Sequence, residues 1–338
     1  MQVKSINKNK FLIFSTIGIL AIGVFLLIDI LIGMSDIGFK DIISAIFDYS
    51  GSKEDLIITT IRLPRVLLCI IGASMAISGL IMQNLTRNPL ASSQVLGINA
   101  GATLSVVIVM VFFPTLGYKT KILASFLGAG FVGVTVQTIG RIRNLSPLKV
   151  TLVGISIQLF LSSITKFIML FNDSKTSDLL FWMIGGVHHA QITHIVELLP
   201  CFIISILLII KISNSMDTLK MGDAIAISLG ENIKVIKSIA TIVVILLSSS
   251  SVAIAGPISF IGLITPHIVI KLGARNFRES FILCGIYGAN LLLLSDIISK
   301  ILKYPYESPV GIVTAFMGAV FYIILANKEM KRGGVSEK

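Results

Sequence analysis

The 338-residue chain is 54% hydrophobic and only 13% charged, with a mean hydropathy of +0.94. That is about half the charge of a soluble domain, which excludes water as its main solvent. Its net charge of +11 is scattered as short basic clusters between apolar runs, which argues against a nucleic-acid-binding face and for membrane topology as the origin of the charge.

At the start, Lys4, Lys8 and Lys10 precede an apolar run from Phe11 to Ile28. The alternative is a signal peptide, but the run is long enough to span and no small-x-small cleavage site closes it, so it reads as a first transmembrane helix. A span needs about 20 residues to cross roughly 30 Å of hydrocarbon, and backbone groups in lipid must bond within the segment, which forces helix. Ten spans follow, near 11–33, 64–85, 94–114, 119–140, 148–171, 191–211, 237–255, 258–272, 280–299 and 308–327. The seventh and eighth have the least defined boundaries. Ser238 to Ile270 carries no charge and is too long for one upright helix, while Gly256-Pro257 and Pro266 interrupt it.

An even number of spans puts both termini on one side, and the N-terminal lysines with Lys328, Lys331 and Arg332 place that side in the cytoplasm. Arg87, the Arg141/Arg143/Lys149 cluster, Lys211, Lys220, Lys234, Lys237, Arg275 and Arg278 then also fall inside. Fewer fall outside, chiefly Lys40, Lys53, Arg62, Arg65, Lys119, Lys121, Lys175, Lys300 and Lys303. The whole chain, 1–338, reads as one transmembrane domain.

Two connections are too long for simple turns. The external segment, about 35–63, holds Asp36, Asp41, Asp48, Glu54 and Asp55 and is expected to lie folded at the membrane surface. The internal segment, about 213–237, alternates polar and apolar residues, and between Asn214 and Leu229 reads as one or two short amphipathic helices ended by Gly230. Periodicity does not choose between an interfacial helix and a docking element for a cytoplasmic partner.

Candidate chemistry is sparse. The chain has no G-x-x-x-x-G-K-[ST] loop, so nucleotide hydrolysis is not expected of it, and no HExxH. Cys69, Cys201 and Cys284 lie in separate apolar stretches without metal-ligand spacing and read as packing residues. His188, His189 and His194 cluster at an external loop, but without Cys partners or an i, i+4 pair, so no metal site is assigned. Arg62 and Arg65 flank Leu63-Pro64 before the second span, where arginines either fork onto carboxylates of an incoming protein or anchor a helix end at lipid headgroups. Gly72, Ala73, Ala76, Ser78 and Gly79 permit close helix packing in that span. Gln83, Gln158 and Asn290 are polar at membrane depth and face either the bundle interior or a wet pathway. An ion-coupled carrier is the competing function. It would need buried carboxylates, for which only Asp29, Glu197 and Asp296 qualify, all near helix ends.

IRLPRVL at 61–67, GASMAISGLIMQNLTRNPLASSQVLGINAGA at 72–102, FWMIGG at 181–186, GPISFIGLITPHIV at 256–269 and ESPVGIVTAFMGAVFYIIL at 307–325 together resemble the FecCD family. These are permeases of type II ABC importers for ferric siderophores, haem and vitamin B12. The resemblance covers nearly the whole chain after the first span. It implies an all-α integral membrane fold of ten transmembrane helices, a homodimer or heterodimer around a central pathway, two cytoplasmic ATPase subunits, an extracytoplasmic binding (lipo)protein and no cofactor. Iron(III)-siderophore complexes are the implied substrate, with haem or cobalamin as alternatives, and transport proceeds without catalysis in this chain.

By the same resemblance, Arg62 and Arg65 match arginines that dock acidic residues of the binding protein. Lys300 stands at a third such position, departing from the arginine of the vitamin B12 permease. Gly222, Asp223, Ala226, Leu229 and Gly230 fall in the coupling segment that fits a cleft on the ATPase. Asn88 and Leu90, within RNPLA, match the loop that closes the pathway on the cytoplasmic side, and Ser92-Ser93 stands where many relatives carry proline. Gln83, Gln158 and Asn290 are the expected pathway residues.

Overall fold

The computed structural model describes residues 8–33, 37–143, 145–172, 176–188, 190–302 and 308–333; Lys4, Asp36, Lys175, His189 and Lys303 lie outside them. Among the described residues every regular element is helical. The chain starts with α1 (Lys8–Leu31), followed by two short helices, α2 (Phe39–Phe47) and α3 (Lys53–Ile57). α3 passes through a π-helical turn (Ile58–Arg62) and a 3-10 turn (Leu63–Val66) into α4 (Leu67–Thr86). Then come α5 (Ile98–Phe112), α6 (Tyr118–Ile142), α7 (Pro147–Leu170), α8 (Thr176–Ile184), α9 (Ile195–Met221) and the six-residue α10 (Asp223–Ser228). The last four are α11 (Ile233–Ala255), α12 (Ile261–Leu272), α13 (Phe277–Leu302) and α14 (Val310–Gly333).

Seven of these helical stretches are long and apolar enough to cross a membrane, and α5, α12 and the first part of α14 are shorter apolar helices at the three other places where spans were expected. α4 is the central element. Of the apolar window of the Lys53–Thr86 stretch, 83% is buried, against 6% for α1 and 17% for α7. Helices whose apolar side chains remain this exposed, such as Leu12, Leu20, Leu159 and Phe160, lie at the periphery of the bundle.

Lipid tails are as apolar as leucine, so burial alone does not hold such helices together; close backbone approach does. A Cβ on Gly79 would land on the backbone of Gly262 in α12, and one on Gly72 would strike the Gly288 carbonyl of α13. The small residues of the second span are thus packing residues, and the Ser78 hydroxyl adds a 2.9 Å hydrogen bond to Ser248 of α11. Gly79→Val is expected to cost about 1–3 kcal/mol or more, since the obstacle is backbone and cannot rotate away. Gly130→Ala, where nothing lies within 4 Å, should be neutral or slightly stabilising. Thermal midpoints of the two variants in one detergent check the contrast.

The segment between α1 and α4 folds into the short helices α2 and α3, with a small core of Ile30, Ile37, Ile42, Ala45 and Ile58. Two of its acidic residues serve as caps. Asp41 accepts from the Gly38 amide at 2.7 Å, and Asp55 accepts from the Ser50 amide and hydroxyl at 2.9 and 2.8 Å.

Two sequence expectations are corrected. The first half of the 213–237 segment is not a separate amphipathic helix: α9 continues through it to Met221, and only α10 is independent. Between α7 and α9 stands α8, whose Trp182 is buried beside the α11–α12 break. Pro266 does not interrupt α12, which runs unbroken from Ile261 to Leu272. A proline at 266 frees the carbonyl of residue 262, and the Gln83 amide approaches that carbonyl and its neighbour Leu263 at 3.5 Å, the long limit of a hydrogen bond. Gly256-Pro257 does break the helix as expected, Gly256 at φ 69° and Phe260 at φ 68° turning the chain between α11 and α12.

Candidate functional site

Chemistry-bearing residues gather at the two ends of the bundle. At the end where α1 and α13 finish and α4 begins, Arg65 donates to Asp296 Oδ2 at 2.7 Å. Lys300, one turn further along α13, reaches Asp29 Oδ1 at 2.7 Å and the Asp29 carbonyl at 2.6 Å, and lies 3.5 Å from Asp296. Arg62 donates to the Ile30 and Leu31 carbonyls at 2.6 and 2.9 Å, filling the unpaired acceptors at the negative end of α1.

All three cations are buried, with exposures of 4% for Arg62, 2% for Arg65 and 3% for Lys300. Two positive and two negative charges balance in the cluster of Arg65, Lys300, Asp29 and Asp296, which is what permits them to be buried at all. The three cations expected from the sequence to dock a binding protein lie together at this end, each turned inward toward carboxylates and carbonyls of α1 and α13. The same geometry removes Asp29 and Asp296 from the list of unpartnered membrane carboxylates that a coupled carrier would need.

Gln83 and Asn290 are also internal. Asn290 donates at 2.9 Å to the Gly18 carbonyl of α1 and to Ile286, and Gln83 lies between α4 and α12. In this structure both side chains reach backbone carbonyls of a neighbouring helix. Gln158 is half-buried on α7, near the left-handed turn at Gly97 that starts α5. His194 is occupied too: its ring stacks on Tyr118 at 3.8 Å, and Nδ1 accepts from the Gln191 amide at 3.0 Å.

At the opposite end, α4 finishes on Arg87, a non-glycine residue in the left-handed region at φ 47°. Next, Asn88 closes a turn by accepting from the Leu90 amide at 2.9 Å. Arg87 reaches back across this end: its Nε donates to the Leu219 carbonyl at 3.2 Å, and its guanidinium pairs with Asp223 at the first position of α10. Lys237 of α11 holds the other oxygen of Asp223 at 2.7 Å. Partial burial raises the Asp223 carboxyl, but the hydrogen bond and charge of Lys237, followed by those of Arg87, outweigh it and hold the group below the usual carboxylate range. Asp223 therefore ties together α10, the loop after α4 and the start of α11. Ala226 of α10 is fully buried, whereas Ile227 and, just past the helix, Leu229 stand 64% and 62% exposed. Gly222 and Gly230 bound the segment at φ 132° and 83°, conformations that favour glycine.

Three of the motif segments meet elsewhere in the bundle. The Gly186 amide donates to Ala255 at 2.8 Å and the Gly311 amide to Gly185 at 3.0 Å, joining FWMIGG, the α11–α12 break and the start of α14. Their long-range pairing is visible only in three dimensions.

A helical bundle with recurrent membrane-length spans, glycine-mediated helix contacts and a short helix tied to one end defines a multi-pass membrane protein. Residues 19–328 match the model of the FecCD transport family, and the chain belongs to that family. It is 42% identical over 298 residues to the Fe(3+)-citrate import system permease protein YfmD of Bacillus subtilis (strain 168), covering 88% of this chain and 89% of the relative. It is 35% identical over 317 residues to the iron(3+)-hydroxamate import system permease protein FhuB of the same organism, covering 93% and 82%. Against the Fe(3+) dicitrate transport system permease protein FecC of Escherichia coli (strain K12), identity is 31% over 289 residues, covering 83% and 86%. In fold it resembles a solved inward-facing metal-chelate type ABC transporter, with a TM-score of 0.80 at 21% identity, covering 94% of this chain and 99% of that one.

Proposed function

We propose that this chain is the transmembrane subunit of an ATP-driven importer that carries iron(III)-siderophore complexes, ferric citrate among them, across the bacterial cytoplasmic membrane. The observation that carries this reading is the match along 88% of the chain to a relative named for Fe(3+)-citrate import. The working assembly contains a second permease subunit, identical or homologous, two cytoplasmic ATPase subunits and an extracytoplasmic binding lipoprotein. Both termini lie in the cytoplasm. ATP is hydrolysed by the partner, in keeping with the lack of a phosphate-cradling sequence in this chain.

In this reading the end that carries α10 faces the ATPase. Leu229 and its neighbours dock, Gly222 and Gly230 allow the segment to stand off the bundle, and Asp223 passes its movement to Arg87 and so to the gate residues Asn88 and Leu90. Alternating access follows when the ATPase pair closes and shifts both coupling segments together. At the other end, the binding protein sits over α2 and α3. Arg62, Arg65 and Lys300 act beneath that surface, fixing α1, α4 and α13 relative to one another. Gln158 is the remaining candidate for the pathway wall.

Uptake of radioiron supplied as a carboxylate, a hydroxamate or a catecholate chelate, in a strain deleted for this gene, tests the substrate class. Loss of carboxylate-chelate uptake, restored by the intact gene, is the expected result. Unchanged uptake of all three chelates would overturn the iron assignment and redirect the search to haem or cobalamin.

A further inference from the structure

A cavity of about 860 Å³ opens behind α10, walled by the last turns of α4, α6 and α9 and the first turns of α5 and α11. Its lining is mainly aliphatic, including Leu85, Val136, Ile225 and Ile233. Four cations, Arg87, Arg141, Lys234 and Lys237, meet a single acid, Asp223, around it. Arg87 and Lys237 are both committed to Asp223. Arg141 and Lys234 have no hydrogen-bond or ion-pair partner among the described residues and stand exposed.

The two cations sit near the ends of membrane-length helices, Arg141 one residue before the end of α6 and Lys234 at the second position of α11, which puts them at the level of the membrane interface. From Arg141 the lining continues along α6 to Gly133, a depth of about 12 Å at the helical rise. A free phosphate would use the cations but not the aliphatic wall beneath them. The lining takes in Asp223–Ile225 and Ile227 but not Ser228–Gly230, so a partner docked on the exposed end of the segment would leave the cavity unfilled.

We infer that this cavity is a binding site for an anionic phospholipid, its phosphate between Arg141 and Lys234 and an acyl chain along α6. Basic pockets between transmembrane helices recognise anionic headgroups in this way. The lipid packs against the inner side of α10 and therefore stiffens the segment that holds Asp223.

Native mass spectrometry of the full chain, released from micelles containing equal phosphatidylglycerol and phosphatidylcholine, tests the site. Wild type should retain phosphatidylglycerol in preference. Arg141→Glu/Lys234→Glu should lower that preference by about tenfold or more, and Arg141→Lys/Lys234→Arg should keep it. Val136→Trp fills the cavity without touching a charge and should also expel the lipid. Three results would overturn the proposal: no headgroup preference in wild type, an unchanged preference in both disruptive variants, or displacement of the lipid by glycerol phosphate alone, which would mean a soluble phosphate site. Displacement on adding the ATPase subunit would overturn it as well, since the cavity would then belong to the protein partner.

Discussion

Arg65→Ala is expected to destabilise the folded protein by about 3–5 kcal/mol, because it strips the buried Asp296 carboxylate of its 2.7 Å partner and leaves Lys300 no closer than 3.5 Å. The penalty comes from the stranded charge more than from the lost attraction. Arg65→Ala/Asp296→Leu removes both charges, leaves Lys300 paired to Asp29 at 2.7 Å, and should recover most of the loss. Thermal midpoints and folded yield in detergent give the comparison. If Arg65→Ala were as stable as wild type, the arginine would have to be exposed in the working assembly, and the direct docking role implied by the family resemblance would return.

The second large effect is on transport. Asp223, Arg87 and Lys237 are one-third to one-half exposed, so the ties between them are worth only about 0.2–1 kcal/mol each in stability. Arg87→Glu places like charges together at the junction of α10 and the loop after α4. Import is expected to fall about tenfold or more, while the thermal midpoint shifts by at most a few degrees. ATP hydrolysis by the assembled complex should persist, no longer linked to import. Equal loss of hydrolysis and import would place the defect in assembly and contradict the linking role. The pH response follows from the sign of the shift. A carboxyl held below its ordinary value contributes its ties fully above the unfolded value, about 4, and loses them as the pH falls through the folded value. The linkage should therefore be flat across neutral pH and weaken only in acid.

Much of the architecture can be read from residue order alone. Apolar length marked the places of the spanning helices, and Gly256-Pro257 marked the break after α11, because membrane hydrocarbon leaves a segment few alternatives to helix. Polar/apolar alternation ended by Gly230 also marked the place of α10. What escaped depends on partners distant in sequence. Pro266 stays within a helix, and an amide 183 positions earlier, that of Gln83, approaches the carbonyl it frees at 3.5 Å. Arg65 and Lys300 are buried because Asp296 and Asp29 lie 231 and 271 positions away from them, respectively. No periodicity records such pairings. Lys300 and Asp296 do share a helix face at i, i+4, the one local hint that the basic residue had an acidic neighbour.

The most direct test of the central claim is accumulation of a radioiron chelate in proteoliposomes holding this permease with its partner subunits and presented with the loaded binding protein. Accumulation that requires ATP and the ATPase subunit, and that ignores imposed proton or sodium gradients, is the predicted result. Accumulation driven by an ion gradient without nucleotide would contradict the account and identify a coupled carrier instead.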